Sequence, residues 1–108
     1  MLFPTETDVT VATVDVLTDA LLGDHALAFR KHLETLLASG HKQVVIDLSA
    51  VYRIDSLALG ALVAVHKQTR GRLTLRGVTI SVTRVLKLTR LDRVITQEMR
   101  PTWYRQVA

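Results

Sequence analysis

The hydrophobic pattern is clearest in the middle of the chain, where a short β-branched run precedes a helical repeat. Val44, Val45 and Ile46 are consecutive and are followed by Asp47. A run of this kind is too short for a helix and has almost no polar alternation, which is typical of a strand buried on both faces of a parallel sheet. We therefore predict a central strand at Val44–Leu48.

A helix is predicted directly after a connector that spans residues 49–55. Within residues 56–69, one helix face with i, i+3, i+4, i+7 spacing is formed by Leu59, Leu62, Val63 and His66. Asp55 or Ser56 suits the N-cap, because a side-chain oxygen there accepts an N–H group of the first turn. The unit is thus strand, loop and helix, with a polar pair at the start of the helix.

The flanking segments predict further strands and helices. Residues 1–8 are polar and are expected to be loosely held. The valines of Asp8–Leu17 change phase between Val11 and Val14, which predicts one kinked strand or two short ones. The later elements are a helix from Asp24 to about Ser39, capped by Asp24 and ended by Gly40, a strand at Leu73–Val78, a short helix capped by Ser81, and a strand at Val94–Thr96. We expect residues 97–108 to form a C-terminal extension, in which Pro101 opens a final turn that contains Trp103 and Tyr104.

The order of these elements predicts one α/β domain over residues 1–108. Strands that alternate with helices favour parallel crossovers, in which helices pack over the sheet. We therefore expect a mixed, mostly parallel sheet of about four to five strands covered by helices. A chain of 108 residues with 48% apolar residues can bury such a core.

The composition excludes several classes of protein. Cysteine is absent, which rules out a disulfide scaffold, a thiolate metal site and a cysteine nucleophile. The start of the chain lacks the basic region and apolar run of a signal peptide. The longest nearly apolar run, Leu57–Val65, is far shorter than the ~20 residues that span a bilayer. We expect a cytoplasmic protein without membrane insertion.

Charge is distributed unevenly along the chain. Residues 1–65 hold four basic and eight acidic side chains, a net charge of −4, whereas residues 66–108 hold ten basic and two acidic side chains, a net charge of +8. A basic half suits an acidic partner protein, nucleic acid or an anionic surface, and a solubilising face is an equally good explanation. Nucleic acid is disfavoured, because none of the five aromatic residues interleaves with the basic cluster.

The sequence offers little for catalysis. Its four histidines form no metal-binding motif: His25, His32, His41 and His66. Phosphate-loop and hydrolase motifs do not occur either. We expect exposed positions for His25 and His32 and a half-buried helix position for His66. An enzyme, a metal and a cofactor are therefore not expected.

Residues 47–62 resemble the signature of STAS domains, the family of anti-sigma factor antagonists and of related domains in sulfate transporters. The family pattern is D-L-S-x-V-x-F-I-D-S-S-G-L-G-x-L. The positions that keep it are Asp47, Leu48, Ser49, Val51, Ile54, Asp55, Ser56, Leu59, Gly60 and Leu62. Similarity at Leu73–Gly77 and Val82–Val94 extends the resemblance over most of residues 11–96, which implies a STAS fold.

The resemblance breaks at the positions that regulate the family. Leu57 stands where the family has its phosphoacceptor serine or threonine, and Ala58 stands where a glycine follows it. Ser56, one residue earlier, is either a displaced acceptor or simply the helix cap. The family also has an acid before its first helix at the position of Leu22, so Asp19 or Asp24 would have to replace it.

The resemblance implies a regulatory protein–protein interaction module. In the family, the unmodified domain binds an anti-sigma kinase and phosphorylation releases it. We expect an anti-sigma factor or serine kinase-like partner without the usual phosphorylation switch, and the same surface would also suit a homodimer. The alternative is a STAS-like soluble subunit of a transport system or another multiprotein assembly.

The predicted partner surface is the start of the helix that follows Asp55, together with a neighbouring basic helix. A negative charge is tolerated at a helix start, because free N–H groups and the positive end of the helix dipole lie there. With Leu57 at the acceptor position, we expect an apolar centre with a charged rim. The predicted residues are Arg53, Asp55, Ser56, Leu57, Ala58, Ala61, Arg84 and Lys87.

Overall fold

A computed structural model describes residues 2–98, in which three helices separate groups of strands. The strands are β1 (Thr5–Thr7), β2 (Val11–Asp15), β3 (Ala20–Leu21), β4 (Gln43–Asp47), β5 (Arg53–Ile54), β6 (Leu73–Arg76) and β7 (Thr96–Glu98). The helices are α1 (Gly23–Ala38), α2 (Ser56–Gln68) and α3 (Ile80–Leu88), and a 3₁₀ turn spans Leu91–Arg93.

Five strands form the main sheet, in the order β1-β2-β4-β6-β7. β1 is antiparallel to β2, and all other neighbours are parallel. The predicted mixed, mostly parallel α/β sheet is confirmed, with β4 at its centre. β3 and β5 form a separate, two-stranded parallel pair.

The parallel strands give the molecule two different edges. β2, β4, β6 and β7 begin at one edge, called here the strand-start edge, and end at the other, the strand-end edge. Parallel neighbours require a crossover, so α1, α2 and α3 each carry the chain back between the edges. Each helix therefore begins at the strand-end edge and ends at the strand-start edge.

One face of the sheet is buried and the other is half-exposed. The alternate residues that are fully buried in the core are Ala12, Val14, Val44, Ile46, Leu73 and Leu75. The residues between them, Thr13, Val45 and Thr74, pair across the strands and are only half-buried. The prediction that the central strand is buried on both faces is therefore wrong. Its run of β-branched residues reflects its central position in the sheet.

Helix α2 buries a different stripe from the predicted one. Its buried residues are Ala58, Ala61, Leu62 and Val65. Of the predicted stripe, only Leu62 is fully buried. Leu59, Val63 and His66 are half-buried, which was predicted for His66 but not for the other two. Because α2 is apolar around much of its circumference, the spacing alone does not show which of two adjacent stripes faces the core.

The N-terminal residues are better anchored than predicted. Thr5–Thr7 pair with β2 as strand β1, and Phe3 is buried in the core. The phase change among the valines does not come from a bulge, because β2 is a regular strand that buries Ala12 and Val14. Val9 precedes β2 in an exposed bend, so it does not belong to the strand pattern.

The helix boundaries differ from the predicted ones by a few residues. Leu22 occupies the N-cap position of α1 in place of Asp24, and Thr79 caps α3 in place of Ser81. Gly40 follows α1 with a φ of +95°, so its predicted role in ending the helix is confirmed.

The last two strands are also displaced from their predicted positions. β6 ends at Arg76 instead of Val78, and β7 starts at Thr96 instead of ending there. Residues 97 and 98 thus belong to the sheet rather than to an extension. The predicted turn at Pro101, with Trp103 and Tyr104, lies outside the described residues.

Candidate protein-binding site

The side chain of Asp55 joins the starts of two helices. Its Oδ1 accepts a hydrogen bond of 3.0 Å from the Ala58 N–H, which makes Asp55 rather than Ser56 the N-cap of α2. Its Oδ2 accepts a bond of 2.9 Å from the N–H of Gly23, the first residue of α1. The N–H groups of Ala58 and then Gly23 are the main causes that lower the pKa of the Asp55 carboxyl. The site thus holds an ionised carboxylate at the strand-end edge.

The loop between β4 and α2 is fixed by hydrogen bonds at both of its ends. Asp47 is buried, and its Oδ1 accepts bonds of 2.9 and 2.6 Å from the N–H and the hydroxyl of Ser49. Further along, the N–H groups of Tyr52 and Arg53 donate to the carbonyl of Asp19, at 2.8 and 3.1 Å. The loop geometry therefore depends on the segment that leads into β3 as well as on β4.

The start of α3 holds the same loop from its other side. The Thr79 hydroxyl donates a hydrogen bond of 2.6 Å to the carbonyl of Val51, in a buried position. The same hydroxyl oxygen accepts a bond of 3.4 Å from the Val82 N–H, so one side chain caps α3 and anchors the loop. The loop between β4 and α2 is thus held on one side by the segment before β3 and on the other by the start of α3.

Three large apolar side chains are exposed at the strand-end edge. Leu17, Tyr52 and Ile80 have exposed fractions of 57%, 57% and 75%. Each lies in the segment that follows a parallel strand, β2, β4 or β6. The hydrogen bonds just described join these segments to one another. We call Leu17, Tyr52 and Ile80 the strand-end patch.

The strand-end patch was missed in the sequence, although a signal for it exists. In open α/β sheets, ligands bind beyond the carboxyl ends of the parallel strands. An apolar residue that comes shortly after such a strand is therefore a candidate for a binding surface. Leu17, Tyr52 and Ile80 all meet this description.

The apolar centre was predicted to consist of Leu57, Ala58 and Ala61, and the prediction is wrong for the two alanines. Ala58 is fully buried and Ala61 is 4% exposed, so both belong to the core. Leu57 is half-buried and packs against that core. The physical reason is the direction of the buried stripe of α2, which includes both alanines. The exposed apolar surface of this edge comes from the strand-end patch instead.

A groove of about 410 Å³ runs between α1 and α2. Its apolar lining comes from Leu33, Leu37, Leu57, Ala61 and Val65. On its rim, Arg30 and Glu34 form an i, i+4 ion pair at 3.0 Å. Ser56 also lines the groove and is exposed. Leu57 therefore contributes to a concave surface rather than to a protruding patch.

The predicted charged residues are exposed but do not form one group. Arg53 lies in β5, next to Tyr52 of the strand-end patch. Arg84 is near the middle of α3, and Lys87 is in its last turn. At a rise of about 1.5 Å per residue, Lys87 lies roughly 10 Å along the helix from Ile80. The structure thus places Arg53, with Asp55, Ser56 and Leu57, at the strand-end edge, and Lys87 towards the other edge.

The histidines differ in their surroundings. His25 is exposed as expected, but His32 is half-buried: its ring stacks on Phe3 with a centroid distance of 5.8 Å, and its Nε2 lies 2.7 Å from the Thr5 hydroxyl. Burial lowers the pKa of His32. The prediction that His32 is exposed is wrong, because β1 covers this part of α1.

Residues 2–98 contain no cluster of three or more histidine, aspartate or glutamate side chains that could hold a metal ion. Within the same residues, no helix combines the length and the apolar character that crossing a bilayer requires.

Comparison with protein families identifies the fold. The family model described as "Mlab, STAS domain" matches residues 7–99. The chain belongs to the STAS domain family. The resemblance found in the sequence is thereby confirmed at the level of the fold. STAS domains of this kind are typically non-enzymatic regulatory domains.

Solved structures of STAS domains superpose on most of the chain. A Thermotoga maritima protein assigned to the anti-sigma factor antagonists is 27% identical, with a TM-score of 0.78 over 96% of this chain and 91% of that one. An anti-sigma factor antagonist from Mycobacterium paratuberculosis has a TM-score of 0.75 at 23% identity, over 97% and 89% of the two chains. Unphosphorylated SpoIIAA, an anti-sigma factor antagonist, has a TM-score of 0.77 at 13% identity, over 96% and 92%. The last two show the fold alone. The fold therefore resembles anti-sigma factor antagonists, which suggests a regulatory role in protein interaction.

Proposed function

We propose that this STAS domain is a regulatory binding module that docks a partner protein at the strand-end edge. The observation that carries the proposal is the Asp55 carboxylate, which fixes the starts of α1 and α2 next to the exposed strand-end patch. A surface fixed in this way loses little conformational freedom on binding, so more of its contact energy becomes affinity.

The chemistry of the edge suits a protein partner. Tyr52 offers a large, amphipathic ring, and tyrosine is among the residues most enriched at binding hot spots. Leu17 and Ile80 add apolar area beside it, and Arg53 supplies a charge next to the patch. An apolar centre with a charged rim is the usual build of a specific protein interface.

The partner that we propose is an anti-sigma factor or serine kinase-like protein in the cytoplasm. Support comes from the Asp-Leu-Ser and Ile-Asp-Ser motifs, whose Asp47 and Asp55 hold the loop and the helix start, and from the similarity to anti-sigma factor antagonists. We further propose that binding is not switched by phosphorylation, because Leu57 has no hydroxyl at the position of the family's acceptor. Ser56 is exposed, but on an α-helix it points about 100° away from Leu57.

A second candidate is a subunit of a transport assembly. It follows from the family, because STAS domains include the related domains of sulfate transporters and the chain matches the STAS family model over residues 7–99. In such an assembly the strand-end patch would be a constitutive contact, for which a leucine at the acceptor position is suitable. A homodimer formed through the same edge would serve either function.

Affinity capture distinguishes the two candidates. We expect the immobilised full-length chain to retain, from a lysate of the source organism, an ATPase with a histidine-kinase-like fold identified by mass spectrometry. Tyr52→Asp should lose this protein, whereas Leu88→Asp should retain it, because Leu88 is even more exposed than Tyr52 but lies at the strand-start edge. Recovery of a transport ATPase with the same dependence on Tyr52 would favour the second candidate. Equal retention by Tyr52→Asp and the wild type would show that the strand-end edge is not the interface.

A further inference from the structure

The strand-start edge collects the basic residues that follow the helices and precede the strands. Lys42 precedes β4, and its N–H donates to the carbonyl of Thr10 at 2.9 Å, in the segment that leads into β2. Arg72 precedes β6, and its carbonyl accepts a bond of 3.0 Å from the Val44 N–H. Arg70 lies between α2 and β6. These bonds place Lys42 and Arg72 at the starts of adjacent strands, and Arg70 lies two residues before Arg72.

Two more cations reach the same edge through α3. The crossover from β6 to β7 must return to the strand-start edge, so the segment after Leu88 lies there. It contains Arg90 and Arg93, and the N–H of Ile95 donates to the carbonyl of Leu91 at 2.9 Å as the chain enters β7. We call Lys42, Arg70, Arg72, Arg90 and Arg93 the basic edge.

The charges of the basic edge are not neutralised within the described part of the chain. All five side chains are exposed, and none is within ion-pair distance of a carboxylate of residues 2–98. Lys42, Arg70 and Arg72 line an open cavity of about 480 Å³ together with His41. The acidic residues nearby in the sequence are Asp8 and Asp92. The edge is therefore a broad surface of positive potential.

Two of these arginines occupy backbone positions that disfavour them. Arg70 and Arg90 have φ values of +55° and +62°, in the left-handed region where glycine is the favoured residue. Each follows the end of a helix, where a cation interacts favourably with the helix dipole and offsets part of this strain. That interaction does not account for Lys42 and Arg72, which precede strands. A common role for the cations of the basic edge explains both observations.

Exposed aliphatic side chains lie among these cations. Val9 is 88% exposed in the segment before β2, Leu88 is 85% exposed at the end of α3, and Val94 is 53% exposed before β7. Protein surfaces that bind the interface of an anionic bilayer combine cationic side chains with exposed aliphatic ones. Nucleic acid fits less well, because the aromatic residues that could stack on bases within residues 2–98, Phe3, Phe29 and Tyr52, lie elsewhere.

We propose that the basic edge binds the surface of membranes rich in anionic phospholipids. The arginine and lysine groups would lie at the level of the lipid phosphates, and Val9, Leu88 and Val94 would reach the boundary of the acyl chains. Because the strand-end patch is at the opposite edge, a membrane-bound molecule would keep it directed away from the bilayer. The domain could then hold a partner at the membrane surface.

The test measures the partition of the full-length chain onto vesicles. With vesicles that contain phosphatidylglycerol, at about 150 mM salt, we expect binding in a sedimentation assay, and we expect no binding to vesicles of phosphatidylcholine alone. The double variant Arg70→Gly/Arg90→Gly removes two charges at positions where glycine relieves the backbone, so it should fold at least as well as the wild type. Its partition coefficient should fall by about 25-fold, a factor of about five for each charge.

A matched variant separates local charge from net charge. Arg30→Gln/Lys31→Gln also removes two charges, both on the exposed side of α1, and should reduce partition far less. An equal reduction in the two double variants would overturn the proposal, as would equal binding to both kinds of vesicle. Leu88→Ser should weaken vesicle binding without affecting binding to a single-stranded oligonucleotide. An oligonucleotide that binds more tightly than the anionic vesicles at the same salt would assign the basic edge to nucleic acid instead.

Discussion

Asp55 and Gly23 are joined by a hydrogen bond of 2.9 Å, in which the Asp55 Oδ2 accepts the Gly23 N–H. The residue that caps α2 therefore also anchors the first residue of α1. Gly23 has a φ of +53°, a conformation that glycine adopts without a Cβ penalty and that few other residues would keep. Two helix starts that come from distant parts of the sequence are thus fixed relative to one another by a single carboxylate.

Loss of this carboxylate should destabilise the fold measurably. For Asp55→Ala we expect the free energy of unfolding to fall by about 1–2 kcal/mol, since an N-cap bond and a second backbone bond are lost from a partly exposed group. Urea denaturation followed by circular dichroism would measure the change. Asp24→Ala is the matched control, because Asp24 makes no cap bond and contributes at most a dipole interaction of about 0.5 kcal/mol. Equal losses in the two variants would show that Asp55 is not the cap that joins the helices.

The double role of Asp55 illustrates what the sequence does and does not reveal. Its position before an apolar repeat predicts a cap for α2, because capping is a local interaction over three residues. The bond to Gly23 spans 32 residues and depends on how β3 pairs with β5. No local pattern encodes that pairing, since both strands contain just two residues. The fold class follows from the sequence, whereas the contact between the two helix starts does not.

The two faces of the sheet should respond differently to a buried charge. Ile46→Asp places a carboxylate in the fully buried core and should lower the free energy of unfolding by about 4 kcal/mol or more, which is most of the stability of a marginally stable domain. Val45→Asp, one residue earlier on the half-exposed face, should cost about 1–2 kcal/mol. Thermal unfolding of both variants would test this difference. If Val45→Asp were as damaging as Ile46→Asp, the second face would also be covered.

The surroundings of His32 predict a dependence of stability on pH. Burial lowers the pKa of the folded imidazole below its ordinary value of 6.5, so the folded state favours the neutral ring. The corresponding stability is fully present above pH 6.5 and is lost as the pH falls through the lower, folded pKa. Urea midpoints measured from about pH 8 to pH 5 should decline less in His32→Phe than in the wild type. His25→Asn changes an exposed histidine, so its urea midpoints should decline as much as those of the wild type. If the decline were smaller in His25→Asn than in His32→Phe, the effect would not belong to His32.

The site was predicted less well than the fold, for a reason that α2 makes clear. Ala58 and Ala61 are small and apolar in the sequence, and such residues suit an exposed patch and a close helix contact equally well. Whether these two residues are exposed or buried depends on which stripe of α2 faces the core. In the structure both alanines lie in the buried stripe. Tyr52 lies in a loop and Ile80 is the first residue of α3, and the Thr79–Val51 hydrogen bond joins their two segments. That bond connects residues 28 positions apart, and the hydrophobic periodicity of a sequence reveals only local structure.

Phosphorylation should not modify the wild-type chain at the family's acceptor position. After incubation with a cognate anti-sigma kinase and ATP, we expect no mass increase of about 80 Da, because Leu57 has no hydroxyl. Leu57→Ser should acquire this increase, and Leu57→Ser/Ser56→Ala should retain it. Intact-mass spectrometry with peptide mapping gives the answer directly. Modification of the wild type at Ser56 would mean that the exposed first residue of α2 serves as a displaced acceptor.

Binding to the identified partner should depend most on the strand-end patch. Tyr52→Ala should weaken binding by about 2 kcal/mol, which is roughly a 30-fold increase in Kd, and Ile80→Ser by about 1 kcal/mol. These side chains are 57% and 75% exposed and lie outside the core, so circular dichroism should show unchanged folding. Leu57→Glu is expected to be harder to interpret, since Leu57 packs against the core as well as lining the groove.

The charge beside the patch should affect the rate of association more than the lifetime of the complex. Arg53 is exposed next to Tyr52, so Arg53→Gln should slow association at low salt and reduce its dependence on ionic strength, with little change in dissociation. Lys87→Gln provides the matched loss of one charge, because Lys87 lies in the last turn of α3, towards the strand-start edge. Surface plasmon resonance at two salt concentrations would separate the two rates. If Lys87→Gln slowed association as strongly as Arg53→Gln, the partner would be attracted by the overall charge of the domain, and the interface would have to be sought beyond the strand-end edge.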